Sequence, residues 1–289
     1  MADGRALPRG SFDAPSSSSD LRSEGSPSRP PGGGRLDQIR RQFLTVFTIV
    51  AYALVGPWGY LAFAVMVALP TRDFRRRRAR LQATIRWGFG LLFRWVRWVR
   101  LFDVRQEALR DAELPPGCVI VANHPTHLDA AVFLGTVVDC CTIAKPLIYR
   151  QWWIRSLLAG AGYVPGSVDQ PLAIDRLLER LERRLEDGQR VVIFPESTRS
   201  EPGAPLRFHR LAFELSCRTG APLVVARITC TPRWLAKETS LWVPPRQGVP
   251  RYEVEVLETI DPDRFDRKSR RLRDGVMSLY TGPTTQRSA

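Results

Sequence analysis

Residues 43–69, FLTVFTIVAYALVGPWGYLAFAVMVAL, carry no charged side chain, and this run restricts the fold of the 289-residue chain more than any other feature. A helix of that length reaches roughly 40 Å, enough to cross the hydrocarbon core of a bilayer with some tilt. Gly56-Pro57 sits in its middle, where proline removes a backbone donor and crowds the preceding turn. Two arrangements remain open: a single kinked transmembrane span, or a shallow hairpin that turns at Gly56-Pro57 and leaves by the face it entered. Arg35, Arg40 and Arg41 precede the run; Arg72 and Arg75 to Arg78 come after it. The heavier basic cluster on the C-terminal side predicts a protein of the cell membrane with its C-terminal domain on the cytoplasmic face.

The flanks differ in kind. Residues 1–34 are rich in Ser, Pro, Gly and Arg, with low-complexity runs at Ser16 to Ser19 and Gly32 to Gly34. Such a segment cannot bury enough apolar surface to fold alone, and is expected to be a disordered tail. Residues 35–80 then form the membrane-embedded helical element with its basic flanks. Residues 81–105 read as an amphipathic interfacial helix. On it Arg86, Arg94, Arg97, Arg100 and Arg105 fall within an arc of roughly 140°, with Trp87, Trp95, Trp98, Leu91 and Phe102 beside or opposite it. Tryptophan with arginine suits the headgroup layer; packing on the rest of the protein is the alternative.

The formal charge is +14, and of the 43 basic residues only Lys145, Lys237 and Lys268 are lysines. The excess calls for an anionic partner. Its concentration beside a membrane-length run favours anionic lipid, and without a recognition motif no nucleic-acid partner is expected. Cys118, Cys140, Cys141, Cys217 and Cys230 have neither zinc-site spacing nor an even count, and read as buried thiols.

Beyond residue 103 short apolar runs alternate with helical periods. Cys118–Ala122, Cys140–Ala144, Arg190–Phe194, Leu223–Ile228 and Arg251–Leu257 read as strands. Leu128–Val138, the 174–185 leucine period and Leu211–Cys217 read as helices. The predicted class is α/β, a largely parallel central sheet flanked by helices, with residues 81–289 as that domain. Sites in such sheets form at the carboxyl ends of strands.

Two segments occupy that position. Asn123-His124-Pro125-Thr126-His127-Leu128-Asp129 succeeds the first apolar strand, placing His124 at its end and Asp129 in the first turn of the next helix. A carboxylate there can fold back on the imidazole, fix its tautomer and leave the other nitrogen free as a general base. No serine or cysteine pairs with them, so the nucleophile is expected to be a substrate hydroxyl. Phe194-Pro195-Glu196-Ser197-Thr198-Arg199-Ser200 succeeds a later strand and can offer backbone donors and a guanidinium to a phosphate or oxyanion.

These segments resemble the N-H-x-x-x-x-D and F-P-E-G-T-R-S motifs of the glycerolipid acyltransferases, lysophosphatidate acyltransferase type. The likeness covers roughly residues 85–260. It takes in Lys145 and also Gly220-Ala221-Pro222-Leu223-Val224-Val225, which is similar to a G-x-P-I-V-P segment. It implies acyl transfer from acyl-CoA or acyl carrier protein to a glycerolipid hydroxyl, without metal or redox cofactor, in phospholipid biosynthesis. By that resemblance His124 is the base and Asp129 its partner. Glu196, Ser197, Thr198 and Arg199 belong to the acceptor site, with Lys145 and Arg210 as further phosphate contacts, and donors near Ser197 and Thr198 meet the oxyanion. Membrane lipids and the thioester donor are the implied partners. The chain departs from the pattern at Ser197, usually glycine, at Val225, usually proline, and at Leu211, also usually glycine. Gly162 to Val168 lacks the arginine that ends the family's second motif. The most direct acceptor is 1-acyl-glycerol-3-phosphate; the missing arginine motivates a non-phosphatidate acceptor such as an aminolipid, and a lipid-binding pseudoenzyme is the third reading.

Overall fold

The computed structural model describes residues 34–68, 73–166, 171–200 and 207–281, so the N-terminal segment up to residue 33, expected to be a tail, lies outside the described residues. In chain order the elements are α1 Arg35–Ala68, α2 Phe74–Trp98, β1 Asp103–Arg105, α3 Glu107–Asp111, β2 Val119–Ala122, α4 Asp129–Thr136, β3 Cys140–Ala144, α5 Pro146–Tyr149 and α6 Trp152–Gly160. Then come β4 Val164–Pro165, α7 Pro171–Glu186, β5 Arg190–Ile193, α8 Leu211–Thr219, β6 Leu223–Thr231, β7 Arg251–Ile260, a 3₁₀ turn Pro262–Phe265 and α9 Ser269–Thr281.

The strands form one sheet in the order β1-β7-β6-β2-β5-β3-β4. Among the described residues only β6 and β7 pair antiparallel; the other pairs are parallel, as the sequence led us to expect. The central strands are buried on both faces, which is why Val119–Ala122 and Val191–Ile193 are unbroken apolar runs. On one face Val119, Val121, Val191 and Val225 pack against Leu178 and Leu181 of α7 and Phe213 and Leu215 of α8. On the other Ile120, Val192 and Val224 pack with Val132 and Phe133 of α4 and Trp234. β2 and β5 are adjacent, with Val121 opposite Ile193, so the loops that leave their carboxyl ends emerge side by side.

The structure bears on the expectations about the N-terminal half. The chain does not reverse at Gly56-Pro57: α1 runs helical through both residues to Ala68. An interior proline costs roughly 3 kcal/mol, which the remaining hydrogen bonds of a 34-residue helix sustain. Among the described residues no helix is long and apolar enough to cross a membrane. The amphipathic helix expected over 81–105 instead spans 74–98 and runs through the boundary expected at residue 80. Asp73 caps its start, accepting from the amides of Arg75 at 2.9 Å and Arg76 at 3.4 Å. Arg100 takes a left-handed conformation (φ 58°), and Leu101 and Phe102 then turn into the core, so Arg100 and Arg105 are not on the helix. The helix expected over 128–138 is likewise shorter, closing at Thr136.

α2 packs on the rest of the protein, the alternative that its pattern left open. Leu81, Ile85 and Phe93 face inward, and Arg78 reaches Asp187 at 2.6 Å. Gly135 of α4 lets α2 approach closely: a Cβ there would stand 2.8 Å from Phe89 Cβ. Trp87 and Leu91 remain exposed along the groove between α1 and α2, and Trp98 is exposed at the end of the helix. α1 is anchored at its base by Arg41, whose guanidinium donates to the carbonyls of Pro245 at 3.1 Å and Gly248 at 2.8 Å. Farther along, Trp95 Nε1 donates to Thr48 Oγ1 at 3.0 Å and ties α2 to α1.

Candidate active site

His124 leaves the end of β2, and Asp129 opens α4 five residues later. His124 Nδ1 lies 2.7 Å from Asp129 Oδ2. Nε2 is therefore the ring nitrogen left for other partners, and His124 lines the adjoining cleft. The imidazole stacks on the Phe194 ring, 4.6 Å between centroids and 25° between planes, so β5 fixes its plane while Asp129 fixes its rotation.

Asp129 is 0 % exposed. A buried carboxylate is tolerated only when its lone pairs are filled. Oδ2 also accepts from the Thr126 amide at 2.9 Å; Oδ1 accepts from Thr126 Oγ1 at 2.6 Å and from the Tyr252 hydroxyl at 2.9 Å. Burial, and then the neighbouring carboxylate, push the Tyr252 phenol well above its ordinary pKa, so it stays a donor throughout the neutral range. Asn123 fastens the motif to the next strand: its side chain donates to the Ile228 carbonyl at 2.9 Å and accepts from the Ile228 amide at 2.7 Å.

Glu196 joins the two motif loops. Its Oε1 accepts from the His124 amide and from Ser200 Oγ, both at 2.9 Å, while the Ser200 amide donates to the His124 carbonyl at 2.8 Å. Arg233 reinforces the junction, donating to the Ser200 carbonyl at 2.9 Å and pairing with Glu238 at 2.8 Å. Glu196, expected at the acceptor site, thus has a scaffolding role within the protein.

Ser197 sits at the tip of the second loop with φ 58°, the left-handed region, which accounts for a position where the resembling family usually has glycine. Its amide donates to the Phe194 carbonyl at 3.2 Å, so that amide is committed to the turn and not to an oxyanion. The Thr198 hydroxyl, exposed, donates to the Arg199 carbonyl at 3.2 Å.

A cleft of about 530 Å³ opens beside the imidazole. His124, Ser197, Lys145, His127 and His209 stand along it, and Leu134, Ile143, Leu158, Ile193 and Leu211 give it apolar walls. His127 is held below the ordinary histidine range by burial and then by the charges of Arg199 and Lys145. Arg210 lies at the start of α8 on an exposed position, outside the cleft lining. The structure therefore brings His124, Ser197 and Lys145 to the cleft lining, with Asp129 and Glu196 hydrogen-bonded to His124, while Thr198, Arg199 and Arg210 stand outside that lining. Sequence reasoning missed Tyr252, Thr126 and Arg233. The alternation Tyr252-Val254-Val256 along β7 marks Tyr252 as inward-facing, but nothing in it names a carboxylate partner 123 residues away.

Residues 103–229 match the family model described as "Acyltransferase". The chain is 25 % identical over 235 residues to mouse "1-acyl-sn-glycerol-3-phosphate acyltransferase alpha", covering 77 % of this chain and 78 % of that protein. It is 29 % identical over 187 residues to the "1-acyl-sn-glycerol-3-phosphate acyltransferase" of Pseudomonas aeruginosa, covering 61 % of this chain and 68 % of the relative. Its fold is that of the 1-acyl-sn-glycerophosphate (LPA) acyltransferase PlsC from Thermotoga maritima. The TM-score is 0.67 at 22 % identity, covering 88 % of this chain and 100 % of that one.

Proposed function

We propose, from the premise that this chain belongs to the glycerolipid acyltransferase family and is an acyltransferase, that it moves a fatty acyl group from a thioester, acyl-CoA or acyl carrier protein, to the free hydroxyl of 1-acyl-glycerol-3-phosphate. The observation that carries the reading is the His124–Asp129 contact of 2.7 Å at the edge of an apolar-walled cleft, with Nε2 unspent. In this mechanism Nε2 takes the proton of the acceptor hydroxyl as its oxygen attacks the thioester carbonyl. The C–O bond forms, the tetrahedral intermediate collapses, the C–S bond breaks, and the imidazolium returns the proton to the departing thiolate. Asp129 holds the tautomer and offsets the imidazolium charge. The apolar walls receive the acyl chain. Lys145 and Arg199, the two cations felt by His127, meet the acceptor phosphate. That pair supports a phosphate-bearing acceptor despite the missing second-motif arginine.

The proposed seat is the cytoplasmic face of the cell membrane. Attachment is by burying the exposed apolar side chains of the α1–α2 pair, Phe43, Phe47, Trp87 and Trp98 among them, in the proximal leaflet. The purified, detergent-solubilised protein should be offered lysolipids with and without a phosphate, each with acyl-CoA and with acyl carrier protein. Turnover of lysophosphatidate at least tenfold above a phosphate-free lysolipid is expected. Preference for the phosphate-free acceptor would move the assignment to the aminolipid class, and tight binding without turnover would make the chain a lipid-binding pseudoenzyme.

A further inference from the structure

The cleft has a rim of which its chemistry uses Lys145 alone. From Cys140 to Gly166 the chain contains no aspartate or glutamate, while Lys145, Arg150 and Arg155 all lie there on exposed positions. Within this stretch α5 and the start of α6 leave large apolar side chains in the open: Leu147 and Trp152 are each 76 % exposed, and Ile148, which also lines the cleft, is exposed too. The far end of α6 is fixed. Leu157 and Leu158 are buried, Gln82 of α2 donates to the Ala161 carbonyl at 2.7 Å, and a Cβ at Gly160 would stand 2.7 Å from Leu81. The result is a rigidly rooted element with a projecting tip of leucine, isoleucine and tryptophan beside arginines. α6 also packs against α1 and α2, which themselves expose Phe47, Trp87 and Trp98.

We infer that the α5–α6 element is a second membrane-docking surface, within the catalytic domain, that inserts Leu147 and Trp152 into the headgroup layer of an anionic bilayer and sets the cleft rim on the lipid surface. It rests on the proposal that the acceptor is a membrane lipid. Arg150 and Arg155, with no carboxylate in the stretch, match an anionic leaflet. Leucine and tryptophan at this exposure match the depth at which apolar bodies are covered and polar tips remain wet. With Ile148 on both the rim and the cleft wall, a lysolipid could pass from leaflet to His124 without its chain crossing water.

The five native cysteines are buried, and burial pushes the Cys118 thiol to about 11, so a thiol introduced by Trp152→Cys can be labelled selectively near neutral pH. The full chain, carrying an environment-sensitive fluorophore at this site, is mixed with vesicles of phosphatidylglycerol and phosphatidylcholine. Expected are a blue shift and quenching by brominated acyl chains, with about tenfold weaker response on pure phosphatidylcholine or with Arg150→Glu/Arg155→Glu. Unchanged emission on vesicles that carry the protein in flotation would overturn the inference. So would an equal response on neutral vesicles, or a shift given by acyl carrier protein and not by vesicles. Leu147→Cys repeats the measurement should Trp152→Cys fail to fold. Acyl transfer to a water-soluble short-chain lysophosphatidate is assayed in parallel. Transfer without a blue shift refutes the docking surface alone; a blue shift without transfer to any acceptor refutes the enzymatic reading and supports docking.

Discussion

The Tyr252 hydroxyl donates to Asp129 Oδ1 at 2.9 Å, joining the last strand of the sheet to the carboxylate that orients His124. The contact is fully buried, and with Thr126 it leaves Asp129 little freedom to turn away from the imidazole. Tyr252 acts through Asp129 and is a positioning residue. Tyr252→Phe removes one hydrogen bond to a charged group, worth about 1.5–3 kcal/mol of stability. We expect kcat to fall about tenfold, equivalent to about 1.4 kcal/mol of barrier, with KM for either substrate unchanged. Steady-state kinetics on wild type and variant at matched fold check it; a raised KM with unchanged kcat would place Tyr252 in substrate binding instead.

Ser197 pays a conformational cost at φ 58°. A left-handed residue other than glycine is disfavoured by about 1–2 kcal/mol, part of which glycine returns through its larger unfolded-state entropy. Ser197→Gly is therefore expected to stabilise the protein by about 1 kcal/mol, raising the melting temperature by roughly 2–4 °C. Ser197→Ala keeps the strain and should give no such gain. Thermal unfolding of the two variants side by side decides, and equal gains would show that backbone strain is not the cause.

The Arg78–Asp187 pair, at 2.6 Å, pins α2 to the turn between α7 and β5, with Arg78 the more buried partner. The hydrogen bond from Arg78 holds the Asp187 carboxyl below its ordinary pKa. A depressed carboxylate contributes stability above its unfolded value, about 3.9, and loses it as pH falls through the folded value. Asp187→Asn should then cost about 1 kcal/mol at pH 7, tempered by the partial exposure of the carboxylate. The difference from wild type should close as pH falls below about 4. Melting curves from pH 7 to pH 3 test this; a gap independent of pH would assign the loss to packing.

How legible the molecule was depends on the range of the interaction. The central strands were readable because double burial demands unbroken apolar runs, as in Val119–Ala122 and Val191–Ile193. His124 and Asp129 were readable because a five-residue separation after a strand keeps their meeting local. Glu196 was found as a motif residue, yet its work, accepting from His124 and Ser200, depends on β2 and β5 being neighbours, which no local pattern states. Tyr252 and Arg233 were missed for the same reason. The two-residue β4 and the four-residue α5 are too short to carry a periodicity. Gly56-Pro57 left two arrangements open because local helix-breaking chemistry was set against the cooperativity of a long helix, and the continuous helix prevailed.

The central claim is that His124 is the general base of acyl transfer, and the purified His124→Ala protein tests it most directly. Initial rates of acyl-CoA consumption with 1-acyl-glycerol-3-phosphate should fall about 10²–10⁴-fold. Circular dichroism and the melting temperature should stay close to wild type, since the ring is partly exposed and Asp129 keeps Thr126 and Tyr252. Wild-type turnover by a folded His124→Ala protein would contradict the account.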